Sequence, residues 1–277
     1  MVTGDVAVIY LVWSGAGRES FVRFLESYQR YRSGRAHTLV LVFKEVPPKE
    51  RPYYDALVGD LPHVAVEMSA PCFDIPAYLD VARVIGTKRV CLLNSNSELL
   101  ANDWLAMLDQ AAAASSVGAA SATGSWESHF TSTLDARRQS ASRGIFFPWA
   151  SLREEAGQML QLFSPFPNFH LRTNALVIDR ERFLGIPFPW SHRTKTECLI
   201  FESGWLGLTH QLVIQGLLPV VVGCDGNIYE KERWPESCTF RVGEQHNLLV
   251  GDNRTRDYLN SDLSGRRALA ALAWGLG

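Results

Sequence analysis

The sequence predicts an α/β fold in which a doubly wound, mostly parallel sheet is flanked by helices. Two observations lead to this class. The run VAVIYLVW (6–13) is continuously apolar, as expected of a strand that is covered on both faces. After it, segments of strand type alternate with segments of helical periodicity, and this alternation is typical of parallel sheets. Ligands of such sheets bind beyond the carboxyl ends of the strands.

The predicted elements of the first half follow this alternation of strands and helices closely. A helix is predicted after the first strand, because Phe21, Phe24, Leu25, Tyr28 and Tyr31 fall on one stripe. The next predicted elements are the strand HTLVLVFKEV (37–46), the strand HVAVEM (63–68), the helix DIPAYLDVARVIG (74–86), the strand RVCLLN (89–94) and a helix over LLANDWLAMLDQAAAASS (99–116).

The regular alternation of strands and helices ends after residue 115. The predicted elements there are a small-residue strand and turn (117–128), an irregular excursion that is mobile or substrate-facing (129–152), a strand and short helix (168–186), a loop (187–197), a helix and strand (198–223) and a polar, turn-rich tail (224–262). The last residues, RRALAALAWGLG, are expected to form a short helix docked on the core. We expect one domain over residues 1–277, with halves 1–115 and 116–277.

Composition limits the function classes. Hydrophobic residues make up 47% and charged residues 20% of the 277 positions, which suits a globular core. A formal charge of −2 gives no reason to expect a nucleic-acid groove. The first apolar run is too short to cross a membrane and no cationic leader precedes it, so we expect a cytoplasmic protein. The five scattered cysteines are expected to be mostly buried thiols.

A glycine pair after the first strand suggests a dinucleotide site. GAG (15–17) matches only part of the G-x-G-x-x-G fingerprint, because Ser20 stands at the third glycine position. Glu45, after the second strand, would be the ribose-binding acid. An oxidoreductase or methyltransferase of Rossmann type is therefore an alternative that rests on this motif.

The segment from residue 78 carries a more specific pattern. Its residues Ala82 and Arg83 precede a strand that ends in Leu92, Leu93, Asn94 and Asn96, and Trp104 and Leu105 follow in the next helix. The segment resembles the centre of family-2-like glycosyltransferases of the GT-A fold, with their D-x-D motif replaced by Asn-Ser-Asn. The resemblance implies a Rossmann-like nucleotide-binding half over 1–115 and an acceptor-binding half over 116–277. It also implies a nucleotide-diphosphate sugar as donor, bound by Ser14, Lys44, Glu45, Arg83, Asn94, Ser95 and Asn96.

The side-chain amides of Asn94 and Asn96 affect whether the site would bind a divalent metal ion. In the family, the acidic motif holds a divalent ion against the donor diphosphate, whereas an asparagine offers only a neutral oxygen. Mg²⁺ or Mn²⁺ is therefore disfavoured, no metal ligand is assigned, and Glu98 is the nearest acid that would rescue a metal. Without metal, cationic side chains or backbone amides must hold the leaving phosphate. The candidates are His192, Arg193, Lys195, Arg143 and Arg172.

A second resemblance lies in FESGWLGLTHQLVIQGLLPVVVG (201–223). Inverting family members carry an acidic motif at the start of a helix here, and Glu202 keeps its first acid while Ser203 replaces the second. The resemblance implies that Glu202 is the catalytic base for the acceptor hydroxyl. Asp225 and Glu127 are the alternatives.

The acceptor site is expected in the second half. Arg233 and Trp234 match part of the Q-x-x-R-W motif of processive members, and Trp126 and Glu127 lie in a turn after a strand. Trp234 and Trp126 would each stack on an acceptor sugar, since Trp faces suit the C–H surface of a sugar, or else pack against the core. The expected function is a hexosyltransferase-like enzyme, inverting and metal-independent, acting on a glycan or lipid-linked acceptor, with peripheral membrane association left open. The alternative is a non-catalytic relative that binds a nucleotide or glycan.

Overall fold

The computed structural model describes residues 4–68, 70–143 and 149–275. Its strands are β1 Val6–Trp13, β2 Thr38–Lys44, β3 Val64–Glu67, β4 Arg89–Leu93, β5 Glu98–Leu99, β6 Val117–Ser121, β7 Gly124–Ser125, β8 His170–Leu171, β9 Leu176–Asp179, β10 Leu218–Val222, β11 Ile228–Tyr229 and β12 Val250–Gly251. Its α-helices are α1 Arg18–Arg30, α2 Arg51–Val58, α3 Asp74–Val84, α4 Trp104–Ala112, α5 His129–Ser142, α6 Trp149–Leu162, α7 Arg180–Leu184, α8 Lys195–Ser203, α9 Leu208–Ile214, α10 Asn253–Asn260 and α11 Leu263–Trp274. Ser14–Ala16 and Lys231–Ser237 are 3-10 helices.

A large central sheet has the strand order β11-β10-β6-β9-β4-β1-β2-β3. Strands β3, β2, β1 and β4 are parallel to their neighbours, and β6 is parallel to β10. Strand β9 lies between β4 and β6 and is antiparallel to both, and β11 is antiparallel to β10. Helices flank the sheet, so the predicted α/β class with a mostly parallel sheet is confirmed.

The first half folds as its apolar pattern predicts. Strand β1 is buried along its length except at Trp13, because the core covers both faces of the sheet. On α1, Phe21, Phe24 and Leu25 are buried beneath the sheet, which is the stripe that the sequence indicates. A buried apolar run therefore identifies each inner strand of this half.

Two predicted boundaries were wrong. The helix expected from residue 99 begins at Trp104, because Glu98–Leu99 instead pairs with Val250–Gly251. The excursion expected over 129–152 contains the helices α5 and the start of α6, with residues 144–148 outside the described part. Helix α5 has no buried residue, so it has no apolar stripe from which a helix would be predicted.

The segment 198–223 contains two helices instead of the one expected. The helical conformation is interrupted between α8 and α9 at Gly204, where a Cβ atom would lie 2.7 Å from the carbonyl oxygens of both Ile200 and Leu162. Glu202 consequently lies in the last turn of α8, whereas the sequence placed it at the start of a helix.

The C-terminal tail is more regular than predicted. Helices α10 and α11 follow β12, and Trp274 is buried, donating from Nε1 to the carbonyl oxygen of Phe240 at 2.7 Å. The expected docking of the last helix on the core is confirmed for its described residues. All five cysteines are free thiols, but only Cys91 and Cys198 are buried. Among the helices of the described residues, none combines the length and apolar character needed to cross a membrane.

Candidate functional site

A cavity of about 1300 Å³ opens at the carboxyl ends of the parallel strands. Trp13 ends β1, Lys44 ends β2, and Asn94 directly follows β4, and all three line the cavity. This is the place where sheets of this class bind ligands. The loop that precedes the antiparallel strand β9 lies at the same edge and adds Arg172, Thr173 and Asn174 to the lining.

The Asn94–Ser95–Asn96 loop forms a tight turn at this edge. Asn94 Oδ1 accepts a hydrogen bond from the backbone N–H of Asn96 at 2.8 Å, and the carbonyl oxygen of Ser95 accepts from the Tyr10 hydroxyl at 2.8 Å. Asparagine readily forms such turns with its own backbone. The loop thus presents its side chains to the cavity from a fixed backbone.

Two residues that the sequence analysis missed hold this loop in place. The buried side chain of Asn174 accepts from Ser97 Oγ at 2.5 Å and donates to the carbonyl oxygen of Gly251 at 3.1 Å. Arg256 donates from Nη1 to the carbonyl oxygen of Asn96 at 3.3 Å. Each partner lies more than 75 residues away in sequence from the loop that it supports, and no local pattern marks either one.

The donor atoms of the loop fit a resident divalent cation poorly. Mg²⁺ and Mn²⁺ prefer charged oxygens, whereas Asn94 and Asn96 offer neutral amide oxygens, one of which already accepts within the turn. Glu98 is paired with Arg256 at 3.2 Å and Arg23 at 3.9 Å. In the described part of the chain, no group of three or more His, Cys, Asp or Glu side chains is placed to hold a metal.

A first group of lining residues, the tryptophan cluster, is Trp13, Lys44, Glu45, Phe73 and Asp74. Trp13 donates from Nε1 to Glu45 Oε2 at 2.9 Å, and Lys44 Nζ lies 2.5 Å from Asp74 Oδ1. Trp13 and Phe73 are exposed, at 39% and 43%. The cluster therefore offers two accessible aromatic rings beside paired charges.

Two glycines and a serine shape the tryptophan cluster. The Trp13 ring lies over Gly15, where a Cβ atom would be 2.3 Å from the ring, and Gly17 has φ +81°. Local packing thus explains the glycine at position 15, and the backbone conformation explains the glycine at position 17. Ser14 does not line the cavity, and its hydroxyl instead donates to the Glu45 carbonyl oxygen at 2.5 Å. Glu45 has φ 52°, so this contact holds a strained backbone.

Glu202 lines the cavity next to Thr173. Its Oε1 accepts a hydrogen bond from Thr173 Oγ1 at 2.7 Å. Burial raises the pKa of Glu202, with a further upward contribution from Asp74, while Thr173 and Arg172 oppose the shift. The carboxylate is therefore within electrostatic range of both Asp74 and Arg172. A partly buried acid of raised pKa in a cavity is suited to proton transfer.

A second group of lining residues, the arginine cluster, is Glu127, His170, Arg172, Arg241, Asp252 and Arg254. Arg172 Nη2 lies 2.7 Å from Asp252 Oδ2, which is fully buried. Burial would raise the pKa of Asp252, but Arg172 and the backbone N–H of Thr255 hold it below its usual value. Burial also lowers the pKa of His170 to about 4, so this imidazole is neutral near pH 7. None of His170, Arg241, Asp252 and Arg254 was predicted.

The remaining cation candidates differ in their freedom to bind an anion. Arg193 lines the cavity but forms a two-point ion pair with Asp80, at 2.6 and 2.9 Å. His192 and Lys195 also line it and are exposed. Arg143 directly follows α5 and is not among the described residues that line the cavity.

Several predicted site residues lie elsewhere. Trp234 is 1% exposed, packs against Gly124 and donates to the Tyr229 carbonyl oxygen, so its predicted stacking on an acceptor sugar was wrong. Trp126 packs edge-on against Trp274 in the core. The others that do not line the cavity are Arg83, paired with Asp80, Arg233, paired with Glu236, and Asp225, bonded to Asn227 and Tyr229.

Comparisons with known proteins give distant structural likeness only. No protein-family model and no curated protein matches the sequence. A mannosyltransferase from Pyrobaculum calidifontis, solved with GDP-Man and Mn²⁺, is 16% identical with a TM-score of 0.40, over 67% of this chain and 47% of its own. Mouse xyloside xylosyltransferase 1 is 13% identical with a TM-score of 0.44, over 80% and 86%. The glucosyl-3-phosphoglycerate synthase of Mycobacterium tuberculosis is 15% identical with a TM-score of 0.41, over 76% and 66%. This chain thus spans about half the length of the mannosyltransferase.

Proposed function

We propose that this protein is a glycosyltransferase of GT-A type that moves a sugar from a nucleotide-diphosphate donor to an acceptor hydroxyl. The observation that carries the proposal is the position of Glu202, an acid of raised pKa that lines one cavity with the Asn94–Asn96 loop at the carboxyl ends of the parallel strands. The residues that gave the family resemblance thus line the same cavity although they are more than 100 positions apart in sequence.

The proposed donor sits on the first half. The exposed rings of Trp13 and Phe73 suit a nucleobase, which stacks on aromatic faces. The amides of Asn94 and Asn96 then face the diphosphate, and Arg193, His192 and Lys195 are the nearby cationic side chains of the lining. No step of the proposed reaction uses a metal.

The proposed reaction inverts the sugar. The acceptor oxygen attacks the anomeric carbon, its proton passes to Glu202, and the bond from that carbon to the diphosphate breaks with the electron pair leaving on the phosphate oxygen. Thr173 holds one carboxylate oxygen of Glu202, which leaves the other for the acceptor proton. Glu127, the alternative base, is paired with Arg241 at 3.4 Å and suits the role less. A cytoplasmic site and a glycan or lipid-linked acceptor are part of this proposal.

The test begins with UDP-, GDP-, dTDP- and CDP-sugars in a thermal-shift panel, with and without Mn²⁺. At least one should raise the melting temperature, because ligands that bind only the folded state stabilise it. Glu202→Gln should keep that shift and lower the transfer rate about 10²- to 10⁴-fold. Glu181→Gln, at an exposed acid outside the cavity, is the control. Full transfer by Glu202→Gln would exclude this base.

A non-catalytic nucleotide-binding or glycan-binding protein is the second candidate. It is favoured by the absence of both aspartates of the family motif, since Asn96 stands where the family usually has Asp and the Asn94 oxygen is engaged in the loop turn. Donor binding without sugar transfer or donor hydrolysis would support this candidate. NAD(P) and S-adenosylmethionine in the same panel test the GAG alternative, although Gly15 and Gly17 have structural explanations.

A further inference from the structure

The arginine cluster contains more positive charge than its own acids neutralise. Three of its members are arginines, Arg172, Arg241 and Arg254, and two are carboxylates. Asp252 forms an ion pair with Arg172 at 2.7 Å, whereas Glu127 lies 3.4 Å from Arg241. Arg254 is exposed at the cavity and has no ion-pair partner among the described residues.

Arg241 has unused hydrogen-bond donors although it is buried. Its side chain is 5% exposed, and a guanidinium carries five N–H donors. Its Nη1 has two acceptors, Glu127 Oε2 and the Leu269 carbonyl oxygen, each at 3.4 Å. Its Nε is buried with no acceptor in the described part of the chain. A buried charge that lacks partners is costly unless something supplies them.

The loop that carries Arg241 is held in an unfavourable conformation. Arg241 has φ 51°, a region that residues with a Cβ rarely adopt, and its backbone N–H donates to Gln245 Oε1 at 2.9 Å. Gln245 also donates to the Thr255 carbonyl oxygen at 3.0 Å, which ties the loop to α10. The guanidinium carbons of Arg241 and Arg172 lie 4.8 and 4.3 Å from the centre of the Phe240 ring. Arg241 is therefore fixed at the cavity wall.

We propose that the arginine cluster is an anion subsite, and that the oxyanion it takes is a phosphate or carboxylate group of the sugar acceptor. Guanidinium groups match both oxyanions with paired N–H donors. This inference rests on the proposed function, in which the acceptor stands beside Glu202. The cluster belongs to the second half of the chain and reaches Glu202 through Arg172, whereas the tryptophan cluster and the Asn94–Asn96 loop belong to the first half.

The test uses inorganic phosphate and acetate as probes, each titrated by calorimetry against chloride at equal ionic strength, with and without saturating UDP. At least one probe should bind the wild-type protein in both conditions. Arg241→Gln should weaken its binding tenfold or more, and Arg254→Gln should weaken it several-fold. Arg233→Gln, at an exposed arginine outside the cavity, should leave it unchanged. Arg254 is exposed, so its substitution should not disturb folding. The Arg254→Gln variant therefore still tests the subsite if Arg241→Gln does not fold.

Binding of neither probe above the chloride control would overturn the subsite. Displacement of the probe by UDP, with an equal loss of UDP affinity in Arg241→Gln, would assign the cluster to the donor diphosphate and overturn the acceptor role. Probe binding without binding of any nucleotide or nucleotide sugar would instead contradict the proposed function and leave the anion subsite standing. The two failures are therefore distinguishable.

Discussion

The Lys44–Asp74 pair of the tryptophan cluster and the Arg172–Asp252 pair of the arginine cluster line one cavity but bury charge in opposite ways. In the tryptophan cluster the cation is buried, since Lys44 is 3% exposed and its partner Asp74 has a side chain that is 45% exposed. In the Arg172–Asp252 pair the acid is buried, since Asp252 is 1% exposed beside Arg172 at 16%. The comparison teaches that the stability lost on breaking each pair depends on whether the remaining charged partner is buried or exposed to water.

The largest expected effect is on the arginine cluster. Arg172→Met should lower the free energy of unfolding by about 3–5 kcal/mol, because Asp252 is left charged and buried with only its contacts to α10. Urea unfolding at pH 7 measures this. The double variant Arg172→Met/Asp252→Asn should recover part of the loss. A loss below about 1 kcal/mol in the single variant would show that Asp252 is not dependent on Arg172.

The second effect is a pH dependence from His170. Its pKa is about 4 in the folded protein against a usual 6.5, so between these values the unfolded chain binds more protons. Stability should therefore fall as pH decreases from 6.5 to 4, by at most about 3 kcal/mol. His170→Gln should flatten this part of the stability curve. His192→Gln, in the exposed loop, is the matched control, and a similar flattening there would contradict the assignment.

The third effect is smaller and concerns the tryptophan cluster. Lys44→Met should cost only about 1 kcal/mol, because the methionine fills the place of the aliphatic stem and Asp74 returns to water. Asp74→Asn should cost more, because it leaves the buried ammonium group of Lys44 without its counter-charge. Thermal unfolding of both variants tests this order. The reverse order would mean that the two clusters do not differ as described.

The smallest effect is expected outside both clusters. Arg233→Gln should change stability by less than about 0.5 kcal/mol, since Arg233 and Glu236 form an exposed pair. Under the proposed function it should leave sugar transfer unchanged as well. A large loss of transfer in this variant would restore the acceptor role that the sequence motif suggested.

The sequence allowed the tryptophan cluster to be predicted better than the arginine cluster. Lys44 and Glu45 of this cluster and the neighbouring Asn94 follow apolar runs, and the ends of parallel strands meet at one edge, so their proximity follows from pattern alone. Arg241 and Asp252 lie in a polar tail without periodicity, and only tertiary contacts bring them to the cavity. Trp234 shows the converse error, because the Arg-Trp dipeptide that suggested a sugar contact carries no information about burial.

Strand β9 runs against β4, with Leu176 opposite Leu92, so the residues before β9 reach the edge where β4 ends. Arg172, Thr173 and Asn174 are consecutive there, and they support Asp252, Glu202 and the Asn94–Asn96 loop in that order. One short run of backbone thus sets the spacing of all three. Lengthening or shortening the chain between Leu171 and Leu176 would shift all three supports at once. The opposite end of β9 carries none of these supports, because Asp179 there caps α7 by accepting from the backbone N–H of Arg182.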